Sequence, residues 1–297
     1  MDPVLSVVVV SYNCREPLLA CLDSLRTSVQ DAPYEVHVVD NASGDGTPYA
    51  VREHHPWVRL TVNPENLGFA RANNLALRMA LDRSGVSFLL LLNPDTLVFD
   101  HVFDRSMAYL AAHPRAGMVG CRLVTADGSL DLACRRSFPS AWDGFCRASG
   151  LSRLFPRSRL LSRYNLTYLD ASKPARVDAV NGAYMMVTRQ ALARVGLLDE
   201  EYFMYMEDLD WCWRFAKAGF EVHYDPGCTV VHLKGASSRS RSGSMIRAFF
   251  DSMELFCVKN THPSPGIGRL ATLAGIRAWK WLTIARNSLR RVKRVRP

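Results

Sequence analysis

An α/β fold with a mostly parallel central sheet is predicted by three features of the chain. Short β-branched or apolar runs alternate with stretches of helical spacing through the first third; each run ends in a polar cluster; and residues 88–92 (FLLLL) are apolar throughout, as a strand covered on both faces must be. With 297 residues, 48% apolar and 22% charged, the chain can bury one large core and carry an appendage.

Taken in order, residues 5–10 form a β-branched run, residues 17–25 have helical spacing, and residues 36–39 are a second run that ends at Asp40. A third short strand is expected over 58–62, an Ala-rich helix over 69–81 and a fourth strand over 88–92. The polar clusters are Ser11-Tyr12-Asn13, Asp40-Asn41-Ala42-Ser43 and Asn93-Pro94-Asp95. Open α/β sheets bind ligands at the carboxyl ends of their strands, so the three clusters should line one crevice. Residues 129–176 are rich in Arg and Ser and hold Pro139, Pro156 and Pro174, which reads as an irregular excursion off the core. Order resumes at Val177, with Asn181-Gly182-Ala183 leading into an apolar run over 184–187. A helix is expected from near Asp208 to before Gly219, then short strands over 221–224 and 229–233. The break at Pro263-Ser264-Pro265-Gly266 divides this body from a tail, giving a main domain over 1–255 and a tail over 256–297.

The net charge of +9 belongs to the tail. Ten Lys or Arg and no acid follow Glu254, so the body before it is close to neutral. From Trp281 the tail places Trp281, Ile284, Ala285, Leu289 and Val292 on one side at helical spacing, with Lys280, Arg286, Arg290, Lys293 and Arg294 mostly on the other. A basic amphipathic helix of this kind suits an anionic membrane surface; packing on the body and a solvated or nucleic-acid-binding arm are the competing readings. The eight cysteines include no CxxC pair, so reduced thiols are expected rather than a zinc ribbon or disulfide framework. The start, Met1-Asp2-Pro3, runs into a β-like segment without a basic and apolar leader, and no stretch reaches the roughly 18 to 20 apolar residues of a spanning helix. A cytoplasmic protein, peripheral on the inner face of the cytoplasmic membrane, is the expectation.

Neither GxGxxG nor GxxxxGK[ST] occurs, which removes the main support for a dinucleotide dehydrogenase or a P-loop NTPase. At the strand ends stand an aromatic ring, amides and carboxylates instead. Tyr12 could stack on a base and Asp40 could accept the imide N–H of uracil or thymine, or they are a core-edge Tyr and a turn Asp. Asp95, delivered at the tip of an apolar strand, could hold a divalent cation against a diphosphate, or cap a helix. Glu207, Asp208 and Asp210 lie among Phe203, Met204, Tyr205, Met206, Trp211 and Trp213, which suggests a semi-buried cleft where a carboxylate can be tuned toward a general base; the helix dipole is the alternative reason for acids there. His232 ends a Val-rich strand and is either structural or a ligand for manganese.

In order along the chain, VVVVSYN (7–13), VVDNASGDGT (38–47), ENLGFARANN (65–74), NPDT (93–96), VNGAYMMV (180–187), LDEEYFMYMEDLDWCWR (198–214) and His232 resemble the inverting family 2 glycosyltransferases, and among them the rhamnosyltransferase-like group of bacterial cell-envelope enzymes. The resemblance covers about residues 4–237, most of the chain. It implies a GT-A fold, a Rossmann-like nucleotide-diphospho-sugar transferase domain, with a sugar-nucleotide donor, a Mn2+ or Mg2+ ion and a lipid-linked or envelope glycan acceptor, and no nucleic-acid partner. By position it implies that Tyr12 and Asp40 bind the base, that Asn41 is among the donor-binding residues and that Arg71 contacts the diphosphate. Asn93 and Asp95 stand at the DxD, with Asp95 its last carboxylate, and His232 is a further metal ligand. Asp208 corresponds to the catalytic base, with Gly182, Glu207 and Asp210 on the acceptor side. One departure is visible: the DxD reads Asn93-Pro94-Asp95, with a single carboxylate. L-rhamnose from dTDP-rhamnose is the implied sugar. UDP-hexose, UDP-galactofuranose and a non-catalytic binding module remain open, as does an acceptor-facing role for Arg135, Arg136, Arg147, Arg153, Arg157 and Arg159.

Overall fold

The computed structural model describes residues 2–233, 243–261 and 265–295, with side chains described as far as residue 287. Strands β1 (Leu5–Ser11), β2 (Tyr34–Asp40), β3 (Arg59–Val62) and β4 (Phe88–Leu92) are parallel neighbours in the order β3-β2-β1-β4, joined by helices α1 (Arg15–Thr27), α2 (Thr47–His54) and α3 (Gly68–Leu81). The helices form where apolar spacing supplies a face: α1 buries Leu18, Cys21, Leu22 and Leu25. Helix α3 buries mostly small residues, Ala70, Ala72, Ala76 and Ala80, which lets its backbone lie close to the sheet. Register decides which loops of this half lie together. Ser11 pairs with Asp40 and Val9 with Leu92, so Tyr12, Asn41 and the residues after Leu92 leave the sheet along one edge.

The chain continues through β5 (Thr96–Leu97), α4 (Val102–Ala112), β6 (Ala116–Val124) and β7 (Arg135–Arg136), then α5 (Ala141–Ala148), α6 (Leu151–Leu154), β8 (Ala175–Val177), β9 (Ala179–Val180) and β10 (Tyr184–Thr188). Helices α7 (Arg189–Val195) and α8 (Glu207–Lys217) lead to β11 (Glu221–His232), and α9 (Gly243–Phe256) and α10 (Ile267–Val295) close the fold. Strand β10 runs antiparallel between β4 and β6, whereas β11 is parallel to β6; the sheet is mixed but mostly of one direction. The two strands expected over 221–233 are one long strand, with a register shift between Asp225 and Thr229 that accounts for the break in pattern.

Two expectations need correction. Residues 129–176 are not simply an excursion: Cys134, Arg135, Arg136 and Ser137 are buried, β7 pairs with β9, and α5 carries a full capping box between Ser140 and Asp143. The expected boundary at 255/256 falls inside packed structure. Phe256 and Cys257 are buried, Asn260 donates to Asp210 at 2.9 Å, and Lys259 lies 2.5 Å from both Asp199 and Glu201. Helix α10 lies on α9 through Ile276, Leu273 and Trp279, and by the pairs Arg277–Glu254 (3.0 Å) and Lys280–Asp251 (2.5 Å). Trp281, expected on the apolar face, is 72% exposed, while the side chains of Leu289, Arg290, Val292, Lys293 and Arg294 lie outside the described residues. All eight cysteines are free and buried.

Candidate active site

At the carboxyl ends of β1 and β2, the β1–α1 loop is clamped to the β2–α2 loop. The Asn13 N–H donates to Ser43 (2.9 Å), Asn13 Oδ1 accepts from the Gly44 N–H (2.8 Å), and the Arg15 N–H donates to Asp45 (3.1 Å). Tyr12 stands 46% exposed beside this clamp. Asp40 is fully buried; its Oδ2 accepts the Ser43 N–H at 2.8 Å and its Oδ1 has no hydrogen-bond partner among the described residues. A buried carboxylate oxygen without a donor is costly, and an imide N–H arriving beside Tyr12 would relieve that cost. Asn41 has a different job from the one expected. Its Nδ2 donates to Asn66 Oδ1 (2.9 Å) and the Gly68 carbonyl (3.1 Å), and its Oδ1 accepts from Asn63 (3.0 Å) and the Leu67 N–H (3.0 Å). With donors and acceptor lone pairs all engaged, Asn41 positions the 63–68 loop and has no bond left for a nucleotide.

Antiparallel pairing of β11 with β5 sets His232 opposite Thr96, next to Asp95, with the Leu233 N–H donating to the Asp95 carbonyl at 2.8 Å. His232 Nε2 lies 3.2 Å from Asp95 Oδ1, and Nδ1 lies 3.4 Å from Asp131 Oδ2. Burial alone would lower this imidazole, but the Asp131 and Asp95 carboxylates outweigh it and raise it to about 9. The arrangement fits a divalent cation. The 3.2 Å separation matches the roughly 3 Å edge of an octahedron of oxygen and nitrogen ligands about 2.1 Å from the ion. Asp131 on the far nitrogen would hold the tautomer that offers Nε2. Asp131 was not legible in the sequence, since it sits alone between apolar residues. Asn93 is half-buried and ties the loop to its neighbour, its N–H donating to the Ala183 carbonyl at 3.1 Å. Another carboxylate–imidazole group, Asp31, His101 and Asp104, lies at the amino end of β2, away from the crevice, and Asp104 already accepts the Asp31 and Ala32 N–H groups.

The other end of the candidate site is built at the start of α8. Asp208 is buried; its Oδ2 accepts from Arg136 at 2.5 Å and from the Gly182 N–H at 3.2 Å, and its Oδ1 accepts the Leu209 N–H at 2.8 Å. Arg136 also donates to the Val180 carbonyl at 2.6 Å. Burial works against the guanidinium charge, yet the Asp208 carboxylate outweighs it, so Arg136 is raised further and stays cationic. Glu207 is buried beside this pair with Oε2 unpartnered among the described residues, and burial followed by the Asp208 charge lifts its carboxyl well above the usual range. Tyr205 and Met206, just before it, are both left-handed, at φ 72° and 66°, a strained approach of the kind found at functional sites.

Two expected residues fall outside this chemistry. Asp210 spends Oδ1 on Asn260 and Oδ2 on Arg214 (2.8 Å), so it fastens α8 rather than facing an acceptor. Arg71 is mostly exposed and lies 3.9 Å from Glu200. Of the six arginines offered for the acceptor, Arg136 is the one at Asp208. Arg135 is buried against the Leu169 and Asp170 carbonyls, and Arg147, Arg153, Arg157 and Arg159 are exposed. The two ends of the site are joined through α3: the Phe69 N–H donates to the Phe203 carbonyl at 2.7 Å, and a Cβ on Gly182 would touch both Phe69 and Asp208.

Residues 6–192 match the model of glycosyl transferase family 2. The chain is 32% identical, over 99% of its length and 97% of the relative's, to N-acetylglucosaminyl-diphospho-decaprenol L-rhamnosyltransferase of Mycobacterium tuberculosis. It is 24% identical to rhamnosyltransferase WbbL of Escherichia coli, over 79% of this chain and 85% of that one. Among solved structures it resembles the mannosyltransferase of Pyrobaculum calidifontis in complex with GDP-Man and Mn2+, with a TM-score of 0.58 and 23% identity over 94% of this chain and 70% of that one. The fold is therefore GT-A, and the chain belongs to glycosyl transferase family 2, as a sugar-nucleotide-dependent glycosyltransferase of rhamnosyltransferase type.

Proposed function

We propose that the protein is an inverting rhamnosyltransferase that moves L-rhamnose from dTDP-rhamnose onto a lipid-linked, diphosphate-bearing glycan at the inner face of the cytoplasmic membrane. The observation that carries this reading is the full-length similarity to the mycobacterial enzyme, whose name states a polyprenyl-diphosphate acceptor and an L-rhamnosyl product. In this reading Tyr12 stacks on the base and the open oxygen of Asp40 takes its imide N–H. Asp95 and His232 hold a Mn2+ or Mg2+ ion, which when bound supplies positive charge for the departing diphosphate.

Asp208, oriented by Arg136 and the Gly182 N–H, takes the proton from the acceptor hydroxyl as that oxygen bonds to the anomeric carbon. The bond from that carbon to the diphosphate oxygen breaks on the opposite face, and the electron pair leaves with the nucleotide. No covalent enzyme intermediate is needed. Glu207, protonated more readily than an ordinary carboxylic acid, can donate a hydrogen bond to the acceptor.

Peripheral attachment is part of the same reading. No helix among the described residues is long and apolar enough to cross a membrane, and the basic tail suits an anionic surface. Vesicle sedimentation that is unchanged after Arg269 and Arg286 are replaced by Glu would count against it. The deciding experiment for the reaction is calorimetry of dTDP-rhamnose, a UDP-hexose and UDP-galactofuranose, each with Mn2+ or Mg2+, followed by transfer assays on a polyprenyl-diphospho-N-acetylglucosamine. Tight binding of a UDP-sugar alone would replace the donor assignment. Binding without any transfer would favour a non-catalytic module.

A further inference from the structure

Helices α5, α9 and α10 enclose an open-sided cavity of about 630 Å³, well within the ~300–1,000 Å³ usual for ligand sites. Phe145, Met253, Phe256, Ile276 and Trp279 dominate its walls, and among the described residues no charged one lines it. Such a surface cannot repay the dehydration of a sugar or a diphosphate, but it can take hydrocarbon. Its position gives it meaning. Met206 is also in the wall, and Met206 immediately precedes Glu207 and Asp208, so one side of the cavity is formed by the residue next to those carboxylates.

The elements around the cavity carry large exposed apolar side chains: Trp142, Phe145 and Leu154 on α5 and α6, and Ile267, Leu270 and Trp281 on α10. Exposed Arg147, Arg153 and Arg286 stand among them. Aromatic and aliphatic residues interleaved with arginine are what a protein surface needs to sit in the headgroup region of a bilayer. A chain already in the bilayer could pass from lipid into such a cavity without crossing water.

We propose that this cavity holds the polyprenyl chain of the lipid-linked acceptor, setting its first sugar at Asp208. The inference rests on the acceptor reading above and adds where the lipid lies and which residues select it. Long-chain acceptors are then favoured because each isoprene unit placed in the cavity removes apolar surface from water.

The test fills the cavity. A Cβ added at Gly144 or Gly275 meets nothing within 4 Å, and both residues are in helices, where Leu is better tolerated than Gly. Transfer is measured to a decaprenyl-linked acceptor and to the same glycan diphosphate on a short, water-soluble alkyl chain. Binding of decaprenyl diphosphate, which has no sugar, is followed separately through tryptophan fluorescence, Trp279 being in the wall. Gly275→Leu and Gly144→Leu should each raise KM for the decaprenyl acceptor by about tenfold or more, as expected for displaced isoprene contacts. Both should weaken decaprenyl diphosphate to a similar extent, with a much smaller change for the short acceptor. Ala278→Leu, on α10 but outside the cavity wall, should alter neither. Folded Gly275→Leu protein with unchanged decaprenyl diphosphate binding overturns the proposal. So does a wild type indifferent to chain length, which would leave the glycosyl-transfer reading standing. Weakened diphosphate binding in the variants together with no transfer by the wild type would support the lipid site and overturn the acceptor reading instead. Self-association abolished by Gly275→Leu, with prenyl binding intact, would give the cavity to a second copy and overturn the proposal.

Discussion

Two buried carboxylates, Asp95 and Asp208, each meet a basic side chain brought from far along the sequence, and the partners differ in kind. Asp95 faces His232, whose Nε2 can shed its proton and become a ligand. Asp208 faces Arg136, which cannot be deprotonated and fixes the carboxylate in place. The first pair can exchange a proton for a cation; the second can only orient. The proposed reaction uses both: a place where charge on the leaving group is balanced when donor arrives, and a base whose direction does not change when it does.

That contrast can be broken most sharply at Asp208. Asp208→Asn keeps shape but cannot take a proton, so turnover should fall by about 10² to 10⁴, with donor affinity by calorimetry nearly unchanged. Near-normal turnover would remove Asp208 as the base. Next in size is Arg136→Met, which leaves a buried carboxylate without its partner. Denaturant unfolding should show a loss of about 3–5 kcal/mol, partly restored by adding Asp208→Asn. A cost confined to activity would mean that the pair is wetter than its burial implies.

At the other pair, Asp95→Ala and His232→Ala should each weaken metal-assisted donor binding by about 10- to 100-fold, Asp95 more, and Asp131→Asn should act in the same direction through the imidazole. A proton competes for Nε2 and the folded value is raised to about 9, so metal-assisted affinity should climb as pH rises toward that value. Full activity of Asp95→Ala in EDTA would remove the ion from the mechanism and leave arginines to balance the diphosphate.

The smallest effect is at Glu207. Its carboxyl is lifted in the folded state, so the folded protein binds that proton more tightly than the unfolded chain does; stability is lost as pH rises above the ordinary glutamate range. Glu207→Gln should therefore stabilise the protein by about 1 kcal/mol at neutral pH, with the gap from wild type closing in acid and turnover falling less than in Asp208→Asn. If Glu207→Gln alone abolished turnover in a folded protein, the base would be Glu207.

The sequence was most readable where function follows from strand order. Asp40 and Asp95 end apolar runs, and the sheet places both at one edge, as the alternation of runs and helices implies. His232 was readable as a candidate, but its nearness to Asp95 depends on the pairing of β11 with the two-residue strand β5, which no periodicity signals. Arg136 was hidden for a related reason. It lies in an Arg-rich stretch whose composition suggests solvent, and only the two-residue pairing of β7 with β9 carries it inward. Composition also says nothing of how Asn41 and Asp210 spend their side-chain bonds: Asn41 on the 63–68 loop, Asp210 on Arg214 and on Asn260 of the following helical segment. In the tail, spacing identified a helix but could not say which of its apolar residues α9 would cover.

Gly68 carries a consequence for tracing the ancestry of such enzymes. It begins α3 at φ 80°, and a Cβ there would stand 2.4 Å from the Phe203 carbonyl oxygen, closer than real atoms approach. The Phe203 backbone belongs to the segment that leads into Glu207 and Asp208, while α3 follows the loop tied to the end of β2 by Asn41. Any descendant with a side chain at this position must have shifted one end of the site against the other. A single letter in ENLGF can thus separate relatives that inherited this spacing between the Asp40 and Asp208 ends from those that kept only the scaffold.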